Sequence, residues 1–139
     1  MSRDVTIFLR SSQRYPQQEP EEIELTVHGK LYFRGGSVFI SYEESAMTGM
    51  ENTRTTLKVE PGRVEIIRTG KNHSRLCFQE GLRHESLYRT PYGLLQLATV
   101  THHLVTHMGQ EGGTLEIRYQ VELEGQLASE NHLQIEVRP

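Results

Sequence analysis

Three features of this sequence predict an all-β fold, a closed antiparallel meander barrel of about 8–10 strands, with residues 1–139 as a single β-barrel domain. Apolar and polar residues alternate at every second position through most of the chain. Short turns break the alternation at Gly35-Gly36, Pro61-Gly62, Gly70-Lys71-Asn72, Gly81-Leu82 and Gly112-Gly113. No segment of ordinary helical length carries apolar residues at three- and four-residue spacing. Many strands then have one apolar and one charged face. Closing the sheet encloses the apolar face and removes exposed edges. Consecutive hairpins favour an up-and-down barrel over a Greek-key sandwich, because neighbouring strands pair in sequence order.

Val5, Ile7 and Leu9 alternate and predict a first strand, and Ser11 to Pro20, rich in Gln and Pro, reads as a polar loop or extended edge. The long hairpin Glu22 to Glu44 follows. Ile23, Leu25, Val27, Gly29, Leu31 and Phe33 share one face, interleaved with charged and polar residues. Gly35-Gly36 supplies the positive φ of a tight turn. A two-residue loop pairs Phe33 with Val38, Leu31 with Ile40 and Gly29 with Tyr42, and would bring Val27 opposite Glu44. Gly29 permits a sharp bend, with Tyr42 covering its bare backbone. Ser45 to Asn52 lacks alternation, and its Met47 and Met50 suit a short cap or lid.

Thr53, Thr55, Leu57 and Val59 begin the next inward face. Val64, Ile66 and Arg68 continue it across the Pro61-Gly62 turn. Leu76 and Phe78 extend it further if the following loop has three residues. The phase of His84 to Thr90 is ambiguous. In the run Tyr92 to Met108, Leu95, Leu97, Thr99 and Thr101 fit one face, and Leu104 is out of phase unless a bulge intervenes near His102-His103. Leu115, Ile117, Tyr119, Val121 and Leu123 then face inward, followed by Asn131, Leu133, Ile135 and Val137.

The net charge of -3 and pI near 6.2, with both signs interspersed, lack the basic stripe that a phosphate backbone demands, so no nucleic-acid partner is expected. The single cysteine, Cys77, forms no internal disulfide and suits a reducing compartment. The apolar run near the N-terminus is too short for a signal peptide or a membrane span. A cytoplasmic protein without a membrane partner is the expectation. Nothing in the sequence indicates a homo-oligomer, and nothing rules one out.

Polar residues on the predicted inner face form the candidate site: Tyr42, Glu44, Thr55, Arg68, Thr101, Tyr119 and Asn131, with Ser74 and Thr99 nearby in register. An unpaired carboxylate such as Glu44 is expensive on an apolar face, so it must sit at the barrel mouth, find a partner or perform a task. A few convergent polar groups in an apolar interior orient a small ligand, and Arg68 is the natural anchor for a carboxylate or phosphate. The competing reading pairs Glu44 with Arg68, bonds the hydroxyls locally and plugs the interior with aliphatic side chains.

Other constellations carry less. Fatty-acid-binding barrels hold the ligand carboxylate with an Arg and a Tyr two residues apart on one strand face. Here Arg118 and Tyr119 are adjacent and face apart. His103 and His107 are about 13 Å apart along a strand, too far for one ion, so no metal site is expected. Cys77 lies on the predicted outer face with no fixed relation to a histidine. The paired glutamates Glu21-Glu22 and Glu43-Glu44 face apart and make no acid–base couple. No catalytic residue or cofactor motif is legible.

Ser41-Tyr42-Glu43-Glu44, Arg68-Thr69-Gly70 and Tyr88-Arg89-Thr90-Pro91-Tyr92-Gly93, with the order of hairpins over nearly the whole chain, resemble the YwiB-like family of small bacterial proteins. The resemblance implies a lipocalin- or calycin-like closed meander barrel. That family is a domain of unknown function, so the likeness brings architecture and no activity or site residues. The combined expectation is a non-enzymatic barrel binding a small, partly apolar molecule, acidic where Arg68 anchors it, gated by Ser45 to Asn52. The alternative is a plugged barrel serving as a protein-interaction or structural module.

Overall fold

Ten antiparallel strands make one sheet in the computed structural model, which describes residues 2–91 and 93–139, with Thr90 as backbone alone. Tyr92, part of one motif above, lies outside the described residues. The strands are β1 (Ser2–Arg14), β2 (Glu21–Arg34), β3 (Ser37–Glu43), β4 (Thr53–Glu60), β5 (Arg63–Gly70), β6 (Ser74–Phe78), β7 (Arg83–Thr90), β8 (Gly93–Gly109), β9 (Gly112–Leu123) and β10 (Gln126–Arg138). Their order is β6-β5-β4-β3-β2-β1-β10-β9-β8-β7. Sequential hairpins account for every pairing except that of β1 with β10, which joins the two ends of the chain from Thr6↔Arg138 to Arg14↔Glu130.

The barrel is nearly closed. β6 and β7 stand at opposite ends of the strand order and form no ladder with each other. The seam is held instead by Gly81 N–H donating to the Thr101 carbonyl (2.9 Å), Thr101 N–H to the Leu82 carbonyl (3.1 Å), and the Thr99 hydroxyl to the Cys77 carbonyl (3.5 Å). The last of these comes from an inward residue of β8, so β6 tucks against the inside of β8.

Alternation places the core as the pattern requires. Ile7, Ile40, Val64, Phe78 and Ile117 are completely buried, and each such side chain contributes about 1.5–3 kcal/mol relative to exposure. Phe78 meets Tyr119 edge-on across the interior, with ring centroids 4.7 Å apart. The bulge in β8 falls at His102, between Thr101↔Tyr119 and His103↔Arg118, and returns Leu104 to the core. A second irregularity, between Leu127 and Ser129 in β10, carries no glycine or proline to signal it. The ambiguous β7 resolves with His84, Ser86 and Tyr88 turned inward.

Several local expectations are corrected. Ser11 to Arg14 are extended, one of the two forms expected, but they are neither loop nor edge. They extend β1, paired with β2 on one side and β10 on the other, because ladder hydrogen bonds on both edges hold a polar segment that hydropathy would release. Gly112-Gly113 is not the turn, which is Gln110-Glu111. Cβ atoms on Gly112 and Gly113 would run into the Val137 and His107 carbonyl oxygens, so close strand approach requires the glycines. The β2–β3 ladder ends at Lys30↔Ser41, so Gly29 does not pair with Tyr42 nor Val27 with Glu44. A Cβ at Gly29 would strike the Ser41 carbonyl oxygen and Ile7 Cδ1, and Tyr42 pairs across β4 with Thr55. Phe33, expected inside, is 45% exposed at the hairpin tip, where no facing layer covers it. Cys77 points outward as expected and is nevertheless buried, opposite Glu65.

Candidate functional site

The loop after β3 brings a carboxylate into the barrel. Glu44 N–H donates to the Thr53 carbonyl (2.8 Å), which prolongs the β3–β4 geometry past the end of the strand. Alternation therefore continues, and Tyr42 and Glu44 both turn inward while Glu43 stays exposed beside Arg54 (2.9 Å). Beyond Glu44, Ser45 caps a 3₁₀ turn, Ala46–Thr48, by accepting from Met47 N–H, and Gly49 ends it in the left-handed region. This turn swings Thr48 and Met50 over the barrel end, where both line an interior cavity of about 140 Å³, while Met47 faces solvent.

The cavity has an aliphatic wall that includes Leu57, Ile66, Leu76, Leu133 and Ile135, and a polar side made by Tyr42, Glu44, Thr55, Arg68 and Tyr119. Glu44 is almost wholly buried, and hydroxyl groups satisfy it. Thr48 donates to Oε1 (3.1 Å) and Thr55 to Oε2. Arg68 approaches Glu44 only to 4.0 Å, an ion-pair distance beyond hydrogen bonding, and its Nε is buried with no hydrogen-bond partner. Burial, then the Glu44 charge, pushes the Tyr42 hydroxyl far above the ordinary tyrosine value against the opposing pull of Arg68. Burial also raises Tyr119, again opposed by Arg68. Both phenols are thus neutral hydrogen-bond donors at physiological pH.

Five residues of the sequence-predicted set, Tyr42, Glu44, Thr55, Arg68 and Tyr119, line this cavity, and two do not. Thr101 is buried near the β6–β7 seam with an unpartnered hydroxyl. Asn131 donates to the Ser129 hydroxyl (3.0 Å) and borders a shallow depression with His102, Arg118 and His132. The cavity also draws on Ser11, Gln13 and Thr48, which sequence reasoning missed. The continued alternation Leu9, Ser11, Gln13 was the available signal, masked by polarity. Thr48 had none, since it arrives from the irregular segment.

Two of the histidines take structural partners. His132 Nε2 lies 2.7 Å from Glu116, holding that carboxyl below its usual range, and His103 sits between Glu80 and Glu116 at 3.6 and 3.5 Å. Burial raises the Cys77 thiol, which keeps it protonated and unreactive. A larger depression, about 830 Å³, lies along β1, β2, β9 and β10, open to solvent, and mixes Phe8 with charges of both signs. None of the described buried polar atoms without a partner belongs to it, whereas Arg68, which carries one, lines the smaller cavity.

Comparison with known proteins agrees with this architecture. Residues 7–135 match the family described as Domain of unknown function (DUF1934), and the chain belongs to that family. It is similar to the uncharacterized beta-barrel protein YwiB of Bacillus subtilis (strain 168), 29% identical over 99 residues that cover 71% of this chain and 68% of that protein. The crystal structure of the ywiB protein from Bacillus subtilis superposes with a TM-score of 0.86 at 23% identity, covering 99% of this chain and 92% of the other. That likeness carries the barrel fold. Among the described residues no helix is long and apolar enough to cross a membrane.

Proposed function

We propose that this member of the family is a non-enzymatic, cytoplasmic binding protein that holds a small, partly apolar, acidic molecule in the barrel interior, with Arg68 as the anchor. The supporting observation is the division of hydrogen bonds at the polar end of the cavity. Hydroxyl donors already satisfy Glu44, so Arg68, which lines the cavity, keeps a buried Nε–H without a hydrogen-bond partner. A ligand carboxylate supplies the missing acceptor, neutral Tyr42 and Tyr119 add donors, and the aliphatic wall takes the apolar remainder. Thr48 and Met50 cover the end, so exchange requires movement of the 45–52 segment.

Denaturing mass spectrometry of the purified protein, followed by calorimetric titration with small aliphatic and aromatic monocarboxylates, tests this. The expected result is saturable binding that Arg68→Ala weakens at least roughly tenfold, the loss of one charged hydrogen bond. Unchanged affinity in that variant removes Arg68 as the anchor. The volume of about 140 Å³ supports a second reading, because ligand pockets ordinarily occupy about 300–1,000 Å³. On that reading the barrel is plugged and serves as an interaction module. Failure of every carboxylate to bind, with no co-purified molecule, favours it.

A further inference from the structure

The edge of β7 away from β8 pairs with no other strand among the described residues. Its outer side chains are Arg83, Glu85, Leu87 and Arg89, all exposed, and Leu87 and the neighbouring Leu94 of β8 are 65% and 57% exposed. The backbone phase can be read from the register. Thr101 N–H donates to the Leu82 carbonyl, and Leu82 lies two residues before His84, which faces Thr99. Hydrogen-bonded and non-hydrogen-bonded pairs alternate along an antiparallel ladder. Residues 84, 86, 88 and 90 therefore spend their backbone groups on β8, and those of Glu85, Leu87 and Arg89 point to the open side. β6 forms no ladder with them, and its Cys77 carbonyl instead accepts from the inward Thr99 hydroxyl of β8.

An exposed strand edge with apolar side chains is a template for pairing with another strand, and folds ordinarily blunt such edges. Here the outward face is complementary to itself. An antiparallel copy centred on Leu87 sets Leu87 against Leu87 of the second copy. The same register sets Glu85 against Arg89 in both directions, so a twofold axis generates two opposite-charge pairs flanking an apolar centre. Arg89 forms no ion pair among the described residues, and Glu85 has only an exposed one with Arg83 at 3.2 Å. Arg83 is itself occupied by both carboxylate oxygens of Glu122 (2.8 and 3.0 Å) and remains with its own chain. We propose that two copies of this chain pair through β7 about Leu87, joining two barrels into one continuous sheet.

Light scattering across a concentration series, with circular dichroism to verify folding, tests the pairing. The wild-type mass should rise from 16.0 kDa toward twice that value. Glu85→Arg and Arg89→Glu each set like charges opposite one another in a homodimer, and each should weaken dimerisation at least about tenfold. An equimolar mixture of the two variants recreates both opposite-charge pairs and should recover the dimer as a heterodimer. Leu87→Pro removes the edge N–H without removing a bond to β8 and should give a folded monomer. A wild-type chain that stays at 16.0 kDa overturns the proposal and leaves the edge for a strand of another protein. A dimer insensitive to both charge reversals, or not recovered on mixing, overturns it equally.

Discussion

Glu44 and Glu65 are both buried carboxylates, at 2% and 7% side-chain exposure, one inside the barrel and one on its outer wall. Their partners differ in kind. Glu65 lies between Arg75 (2.7 Å) and Arg63 (3.2 Å), so guanidinium groups meet both of its oxygens. Burial alone would raise its carboxyl. Hydrogen bonds from Arg75 and then Arg63 outweigh that and hold it below the ordinary carboxylate value. Glu44 takes hydroxyls, and its arginine stands off at 4.0 Å. A carboxylate satisfied by arginines is a finished structural clamp. One satisfied by hydroxyls leaves its arginine without a hydrogen-bonded carboxylate, and that difference is the basis of the binding reading proposed above.

The largest effect expected on this contrast is at the clamp. Glu65→Ala removes the buried carboxylate that both Arg63 and Arg75 bond and should lower stability by about 2–3 kcal/mol in urea unfolding, leaving carboxylate binding unchanged. Loss of binding together with stability would erase the distinction. Thr55→Val removes a donor to Glu44 from a completely buried position, and it should cost about 1–2 kcal/mol and also weaken binding.

Acid should act in part through the clamp, alongside the depressed carboxyls of Glu116 and Glu122. The folded Glu65 carboxyl titrates below its unfolded value, so its stabilisation is complete above pH of about 4.5 and is lost as pH falls through the depressed folded value. Unfolding midpoints measured from pH 7 down to 3 should decline less steeply in Glu65→Gln than in wild type. A parallel decline would assign the acid sensitivity elsewhere. The smallest effect is expected at Thr101, whose buried hydroxyl has no partner. Thr101→Val should be neutral or stabilising by up to about 1 kcal/mol and silent in binding, since Thr101 lies outside the cavity.

Local periodicity made most of the wall legible. The inward faces of β4, β5, β9 and β10 could be read because a side chain's facing depends only on its parity along a strand. The bulge at His102 was legible for the same reason, since Leu104 broke the parity. The polar end of β1 was not, because Ser11 to Arg14 owe their strand to ladder bonds with β2 and β10, which hydropathy does not report. The exposure of Phe33 was hidden too, because alternation tells which way a residue points and not whether anything faces it.

By itself the sequence determined the strand content, the meander order and the inward facing of Tyr42, Glu44, Thr55, Arg68 and Tyr119, all consequences of alternation and turn chemistry acting over a few residues. Only the tertiary structure decided how the sheet meets itself. It tucked β6 inside β8, left the β7 edge open, drew Thr48 and Met50 over the cavity, and separated Thr101 and Asn131 from it. It also set Arg68 at 4.0 Å from Glu44 while hydroxyls took the carboxylate. The reason is physical: parity fixes a direction, whereas distance between residues of different hairpins depends on the curvature and closure of the whole sheet.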